Sequence, residues 1–141
     1  MNKFEKSKEI SFALFEKERD FSQRCNHFSF VFYKNRLISI ARNSYKTHPI
    51  NLYNPKYGTS GANISSSKGS CSELNAFIKI RNLTNIPFNK LTLINIRINN
   101  NGEIALARPC SSCFSLIQWL SPKEVFYSTN LGEFEEFCTG L

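Results

Sequence analysis

Two short stretches decide the fold of this chain: Cys71-Ser72-Glu73 and Pro109-Cys110-Ser111-Ser112-Cys113. Cys110 and Cys113 are three residues apart, so on a helix they share one face. The apolar residues after Glu73 recur at helical spacing, and both stretches have the pattern of a first helical turn. Helix N-termini favour anions, and a thiolate there has a lowered pKa. Two such helix ends could hold a zinc ion with three sulfurs, leaving a fourth tetrahedral position for water within reach of the Glu73 carboxylate.

Together the two stretches resemble the signature of the zinc-dependent cytidine/deoxycytidylate deaminase superfamily, in which Cys-x-Glu is followed by Pro-Cys-x-x-Cys. The resemblance extends from about His27 to Tyr127 and is to a phage-type member. It implies an α/β, cytidine-deaminase-like three-layer fold. The sheet would be mixed, with about five strands, the β hairpin first and then β-α-β crossovers, and with helices on both faces. It also implies Zn2+ held by Cys71, Cys110 and Cys113, with Glu73 as the catalytic proton carrier.

Composition bounds the class of protein. A chain of 141 residues with 13 phenylalanines is expected to form one domain, residues 1–141, with a real hydrophobic core. It has no run of 18 apolar residues and no signal-peptide pattern, so we expect a cytoplasmic protein of the cell or of an infected host cell. In such a reducing compartment, Cys25 and Cys138 are expected to be buried free thiols. A net charge of +7 favours a phosphorylated or polyanionic substrate, although a solvated surface would also explain scattered charge.

Hydrophobic periodicity predicts the order of elements. Residues 3–18 alternate charged and apolar side chains at helical spacing, which predicts a helix. Residues 27–43 are the clearest hairpin, because aromatic and β-branched residues alternate on both sides of a Lys34-Asn35 turn. The elements predicted after the hairpin are a helix from Cys71 to about Leu83, a central strand at 91–98, a turn at 99–102, a short extended return at 103–107, a helix at 110–120 stopped by Ser121-Pro122, a strand at 124–129 parallel to the central one, and an edge strand or short helix at 133–138.

Polar residues of the loops and strand ends are the candidates for substrate contacts. By the resemblance, the loop after the second strand carries an asparagine that bonds the sugar, and Asn43 occupies that place; a turn residue is the alternative. Thr47 and His48 resemble a Thr-His-Pro of phage-type members, and His48 would bond sugar or phosphate unless it is a surface residue. Tyr127 lies near the C-terminal end of its strand, where ligands bind in open α/β sheets. The polar loop at 50–70 is expected to hang over the active site, either contacting bases or simply mobile.

Two local features leave further questions open. Ser70-Cys71-Ser72-Glu73 also has the pattern of a capping box, in which Glu73 would fold back onto the helix start instead of facing a metal. Three-cysteine nucleoside deaminases commonly carry Arg directly after the Glu, whereas this chain has Leu74. Three thiolates around a divalent zinc leave a net negative site. We therefore expect Arg108 to donate a hydrogen bond to a thiolate and compensate the charge.

The residues support four interpretations of function. The first is a zinc-dependent deaminase that converts cytosine to uracil in a (deoxy)cytidine nucleoside or nucleotide. The second is a cytosine deaminase acting on single-stranded DNA or RNA, which the positive charge favours. A closed structural zinc site with His27 or His48 as fourth ligand is the third, and a Cys110–Cys113 redox pair is the fourth. The expected partner is thus a cytosine nucleoside or nucleotide, or a single-stranded nucleic acid, and no membrane; a homo-oligomer is left open.

Overall fold

The chain folds as an α/β structure with helices on both faces of one sheet. The computed structural model describes residues 2–18, 25–43, 72–83, 85–107, 117–118 and 121–137. In chain order, the elements within these ranges are α1 (Lys3–Glu18), β1 (Cys25–Tyr33), β2 (Arg36–Arg42), α2 (Ser72–Leu83), a short 3-10 helix (Phe88–Lys90), β3 (Leu91–Asn99), β4 (Ile104–Ala105), β5 (Glu124–Ser128) and β6 (Phe134–Glu136). The predicted α/β class is confirmed. Neither of these two α-helices is long and apolar enough to cross a bilayer.

One mixed sheet contains the six described strands, in the order β2-β1-β3-β5-β6, with β4 paired to β3. β1 pairs antiparallel with both β2 and β3, whereas β3 and β5 run parallel, as predicted. The sheet has one strand more than predicted, because the extended return at 103–107 pairs with β3 through Ile104 and Ala105. The segment at 133–138, for which strand and helix were both open, forms the edge strand β6.

The sheet face under α1 is almost wholly apolar. Alternate residues of a strand point to the same face. On this face six apolar side chains of β1 and β3 are at most 1% exposed: Phe28, Phe30, Phe32, Ile94, Ile96 and Ile98. Asn26, which pairs with Ile98, is the buried polar residue beside them. Phe15 of α1 packs into the same cluster. This is the hydrophobic core that the alternation of the hairpin and the central strand predicted.

α2 packs on the opposite face, where Ile80 contacts a cluster that includes Val31. Ile117, one of two described helical residues of the connection to β5, packs in a further cluster with Val125. Leu93 pairs with Val31 on one side and Val125 on the other, and it contacts both clusters. The helical residues at 117–118 therefore lie on the same face of the sheet as α2.

Two described residues other than glycine have a positive φ, and both lie where the sequence predicted that a strand or a helix ends. Lys34, with φ of 57°, begins the two-residue turn between β1 and β2. Ser121, with φ of 50°, donates its backbone N–H to the Ile117 carbonyl oxygen at 2.8 Å, which is a left-handed helix end. Pro122 follows, so the predicted helix stop at Ser121-Pro122 is confirmed.

Candidate active site

A row of polar side chains crosses the sheet beneath the start of α2. Residues that pair across neighbouring strands stand side by side on one face. The register aligns Ser29 of β1 with Asn95 of β3, and Asn95 with Tyr127 of β5. These side chains are only 0%, 2% and 8% exposed, respectively. Burial of so many polar groups is costly unless each is hydrogen-bonded.

Ser29 connects this row to the first residue of α2. Its Oγ lies 2.8 Å from Ser72 Oγ and 2.7 Å from Asn95 Oδ1. A carbonyl oxygen can only accept, and serine has a single hydroxyl proton, so Ser29 donates to Asn95 and Ser72 donates to Ser29. Ser72 is 1% exposed. We call Ser29, Ser72 and Asn95 the polar triad; its two bonds fix the start of α2 on the sheet.

α2 runs from this row toward the N-terminal end of β3. Its first residue, Ser72, contacts the row through Ser29, whereas Ile80, about two turns further on, packs with Leu91 at the start of β3. The first N–H groups of a helix and its dipole give its N-terminus a partial positive charge. That positive end of α2 therefore lies over the polar row.

The described residues on either side of the second cysteine stretch belong to the same face. Ala107 and Ile117 share one buried cluster. Ala107 N–H donates to the Ser128 carbonyl oxygen at 2.9 Å, at the C-terminal end of β5. Beyond the stretch, Lys123 N–H donates to the Leu91 carbonyl oxygen at 2.9 Å, at the N-terminal end of β3. The connection thus starts at the sheet end where α2 also starts.

Asn43 and Tyr127, both predicted to contact substrate, form hydrogen bonds within the fold. Asn43 Oδ1 accepts from His27 N–H at 3.1 Å, and Asn43 N–H donates to the His27 carbonyl oxygen at 3.2 Å. Those two bonds extend the hairpin ladder by one residue. Tyr127 donates its hydroxyl proton to Glu135 Oε2 at 2.8 Å. The geometry assigns both residues a structural part, and their contacts with substrate stay predictions.

The remaining predicted site residues lie beyond what the structure describes. Glu73 is the second residue of α2, and its side chain is outside the description. Its two predicted orientations, toward a metal or back onto the helix start, therefore both stay predictions. The predicted residues outside the described ranges are Cys71, Cys110, Cys113, Arg108, Thr47 and His48, as are the loop at 50–70 and Cys138.

His27, an alternative zinc ligand, lies in β1 on the same face as Ser29, since residues two apart on a strand share a face. It is half-buried and pairs with Arg97 of β3. It lies two residues along β1 from Ser29, which belongs to the polar row. A closed structural zinc site therefore keeps a candidate fourth ligand.

No group of three His, Cys, Asp or Glu side chains that could hold a metal occurs in the described ranges, which exclude all three predicted sulfur ligands. No family model, curated protein or solved structure matches the chain. The resemblance to the deaminase superfamily therefore rests on the sequence signature.

Sequence reasoning missed the polar triad. Ser29 alternates with phenylalanines and Asn95 with isoleucines, a pattern that normally predicts a polar face turned to solvent. Here that face is covered by α2. A signal was present, because a helix predicted after the hairpin must cover one face of the sheet, and polar residues there must then pair with each other.

Proposed function

We propose that this chain is a zinc-dependent hydrolytic deaminase that converts cytosine to uracil in a (deoxy)cytidine nucleoside or nucleotide, on a cytidine-deaminase-like fold. One observation carries the proposal: the described residues next to both cysteine stretches are bonded to one face and one end of the sheet. Ser72 separates Cys71 from Glu73 and is bonded to the polar row. Ala107 precedes Arg108 and is bonded at the C-terminal end of β5.

The residues fit a zinc ion. Thiolates suit zinc, and three protein ligands with one open position are the arrangement of a catalytic site. Ser29 and Ser128 lie on strands that are two positions apart in the sheet, which is about 10 Å at ordinary strand spacing. Side chains anchored near these two points can meet around one ion. Cys71, Cys110 and Cys113 would hold it, and the positive end of α2 favours a thiolate beside it.

Bound zinc would lower the pKa of a water molecule toward neutrality and so supply hydroxide. The reaction joins the water oxygen to the ring carbon that bears the exocyclic amine, and the bond from that carbon to the amine nitrogen breaks, releasing ammonia. Glu73 would accept one water proton and deliver it to the ring nitrogen. It would then take the second proton from the new hydroxyl on the ring carbon and pass it to the leaving amine, because a carboxylate both accepts and donates. The polar triad would act by position: it holds Ser72, and with it the backbone of Glu73, on the sheet.

Arg108 is proposed to balance the charge of the site. Three thiolates and one divalent ion leave one negative charge, which weakens the ion as a Lewis acid. Arg108 follows Ala107, whose backbone is bonded to Ser128, and a guanidinium there could donate to a thiolate. Such a residue would support turnover without being needed to hold zinc.

Deamination of cytosine in single-stranded DNA or RNA is the second candidate, and the net charge of +7 favours it. A polymeric substrate makes several phosphate contacts and releases counterions on binding, so its affinity falls steeply with salt. A nucleoside carries no phosphate and should bind almost independently of salt. The salt dependence of KM therefore separates the two substrate classes.

The proposed activity is tested with a substrate panel in the presence of zinc. Ammonia release is measured from cytidine, deoxycytidine, deoxycytidine monophosphate and a cytosine-containing single-stranded oligonucleotide, and we expect turnover of at least one. Glu73→Ala should keep zinc and lose roughly 100-fold or more in turnover, the usual contribution of general acid–base catalysis. Cys110→Ala should lose both. Glu103→Ala, which removes an exposed carboxylate of the β3–β4 turn, is the control.

Two results would overturn the assignment. Retained turnover in Glu73→Ala would remove the proton carrier from the mechanism. Zinc that is lost on His27→Ala, in a protein that deaminates none of the four substrates, would identify a closed structural site instead. We expect His27→Ala to bind zinc at the same ratio as the unmodified chain, as measured by metal analysis of the purified protein.

A further inference from the structure

A basic pocket lies at the opposite end of the sheet, where β3 begins. Its volume is about 540 Å³, which is in the range of ligand sites. Thr92 forms part of its wall and pairs with Phe32, a core residue of the α1 face. Four lysines from separate elements line it: Lys3, Lys34, Lys90 and Lys123. The pocket is therefore distinct from the polar row under α2.

Backbone pairing brings three of these lysines together. Leu91 pairs with Tyr33, so Lys34, the next residue after Tyr33, lies beside Lys90, the residue before Leu91. The Leu91 carbonyl oxygen also accepts the Lys123 backbone N–H at 2.9 Å. At ordinary strand spacing their backbones fall within about 10 Å of each other. The cluster is thus part of the sheet framework.

The charge of the pocket is not balanced within the described part of the chain. Among the described residues, its only acidic lining residue is Glu124, whose Oε1 accepts a hydrogen bond from Thr92 Oγ1 at 3.0 Å. None of the four lysines forms an ion pair with a described carboxylate. Like charges so close repel one another, and a bound anion would relieve that repulsion.

Lys34 points to a role other than stability. Its φ of 57° is left-handed, a conformation that glycine and asparagine adopt far more readily than lysine. Two-residue hairpin turns with a positive φ at their first position accordingly favour glycine there. Lys34 Nζ lies 5.4 Å from the centre of the Tyr33 ring, at the rim of the pocket. The contact with the Tyr33 ring is one reason for a lysine at this position, and anion binding would be a second.

We propose that this pocket binds the phosphate backbone of a single-stranded nucleic acid. Three of the lysines are exposed and surround the depression, and each presents a separate mobile ammonium group. That arrangement suits successive phosphates of a polymer, whose binding is driven by counterion release. Tyr33, half-buried against the cluster that includes Val31, also lines the pocket, so an aromatic ring lies beside the lysines, as in single-strand binders. The proposal needs neither zinc nor Glu73.

The test uses the full chain and a fluorescent oligothymidylate of about 12 nucleotides, a length typical of single-strand sites. It contains no cytosine, so binding is measured independently of deamination. We expect Lys90→Ala and Lys123→Ala each to weaken binding several-fold. Each should also reduce the slope of log K against log salt by about 0.7, the value for one phosphate contact on a single strand.

Lys17→Ala is the matched control, because it removes one exposed lysine of α1 that lies about 21 Å along the helix from Lys3. It should leave the affinity and the salt slope unchanged. Lys34→Gly should weaken binding while the unfolding midpoint stays the same or rises, because glycine accepts the positive φ of this turn position. A lysine that served only the hairpin would change the midpoint and not the affinity.

Two outcomes would overturn the proposal. One is an equal loss of affinity in Lys17→Ala and in the pocket variants, which would reflect net charge alone. The other is inorganic pyrophosphate binding as tightly as the oligonucleotide, which would identify a small-anion site. Failure of every deaminase assay would leave oligothymidylate binding untouched, so the two proposals fail separately.

Discussion

The two faces of the sheet are built from the same strands but follow different rules. Under α1, the most buried residues of β1 and β3 are phenylalanines and isoleucines, with Asn26 as the polar exception. Under α2, the intervening residues include Ser29 and Asn95, which are just as deeply buried. Apolar burial is non-directional and tolerates repacking, whereas a buried polar group needs a defined partner. One face therefore supplies stability, and the other is able to hold directed polar groups where α2 begins.

The α1 face should give the largest effect on stability. Phe30 is 0% exposed in the centre of its cluster, so Phe30→Ala should lower the free energy of unfolding by about 3–5 kcal/mol through lost burial and a cavity. Urea denaturation measures the loss. Phe12→Ala is the control, because Phe12 of α1 is 38% exposed and should cost much less. Similar losses from the two substitutions would contradict the conclusion that the buried α1 face supplies the stability of the fold.

The polar triad should give an intermediate effect. Ser29→Ala leaves Asn95 Oδ1 and the Ser72 hydroxyl without their present partner, which should cost about 1–3 kcal/mol of unfolding free energy. Ser72→Ala removes the same Ser29–Ser72 bond from the other side. The double variant should therefore lose less than the sum of the two single losses. Strict additivity would show that the bond contributes nothing to stability.

Variants of Tyr127 and its partner Glu135 can distinguish a structural role of Tyr127 from a contact with substrate. Tyr127→Phe deletes the bond to Glu135 and should cost about 1 kcal/mol, and Glu135→Ala should cost a similar amount through the same bond. The edge-to-face contact of the Tyr127 ring with Phe137 is kept in the phenylalanine variant. If Tyr127 also contacts substrate, Tyr127→Phe should raise KM and Glu135→Ala should not. Equal kinetics in both would leave Tyr127 with its structural part only.

The features that could be predicted were those that depend on local periodicity. In three elements the apolar residues recur with a single regular spacing: α1, the hairpin with its Lys34-Asn35 turn, and the central strand. Each lies where that spacing predicted it. The burial of Ser29 and Asn95 depends on a helix that is more than 40 residues away from Ser29 in the chain, so no window around either residue could indicate it. The candidate zinc ligands were identified by their resemblance to a known signature, which requires no knowledge of packing.

The role of Asn43 shows the same limit at short range. Its position after the second strand was predicted, but its bonds to His27 depend on the register of two strands, and a register is set by packing as well as by the turn. β4 was missed as a strand because two residues carry no measurable alternation. Long-range pairing, more than local preference, is what the sequence left undetermined.

The smallest expected effect has the opposite sign and sharpens the contrast between the faces. Ser11 of α1 is 0% exposed, and its hydroxyl has no hydrogen-bond partner in the described structure. Ser11→Ala should therefore stabilise the fold by about 1 kcal/mol, since it removes an unpaired buried polar group and improves helix propensity. Ser7, one turn earlier and equally buried, donates to the Lys3 carbonyl oxygen at 2.8 Å. Ser7→Ala is thus the matched control and should bring no comparable gain in the denaturation midpoint. A polar group is a cost on the α1 side unless it is paired locally, whereas under α2 it is part of the framework; destabilisation by Ser11→Ala would end that distinction.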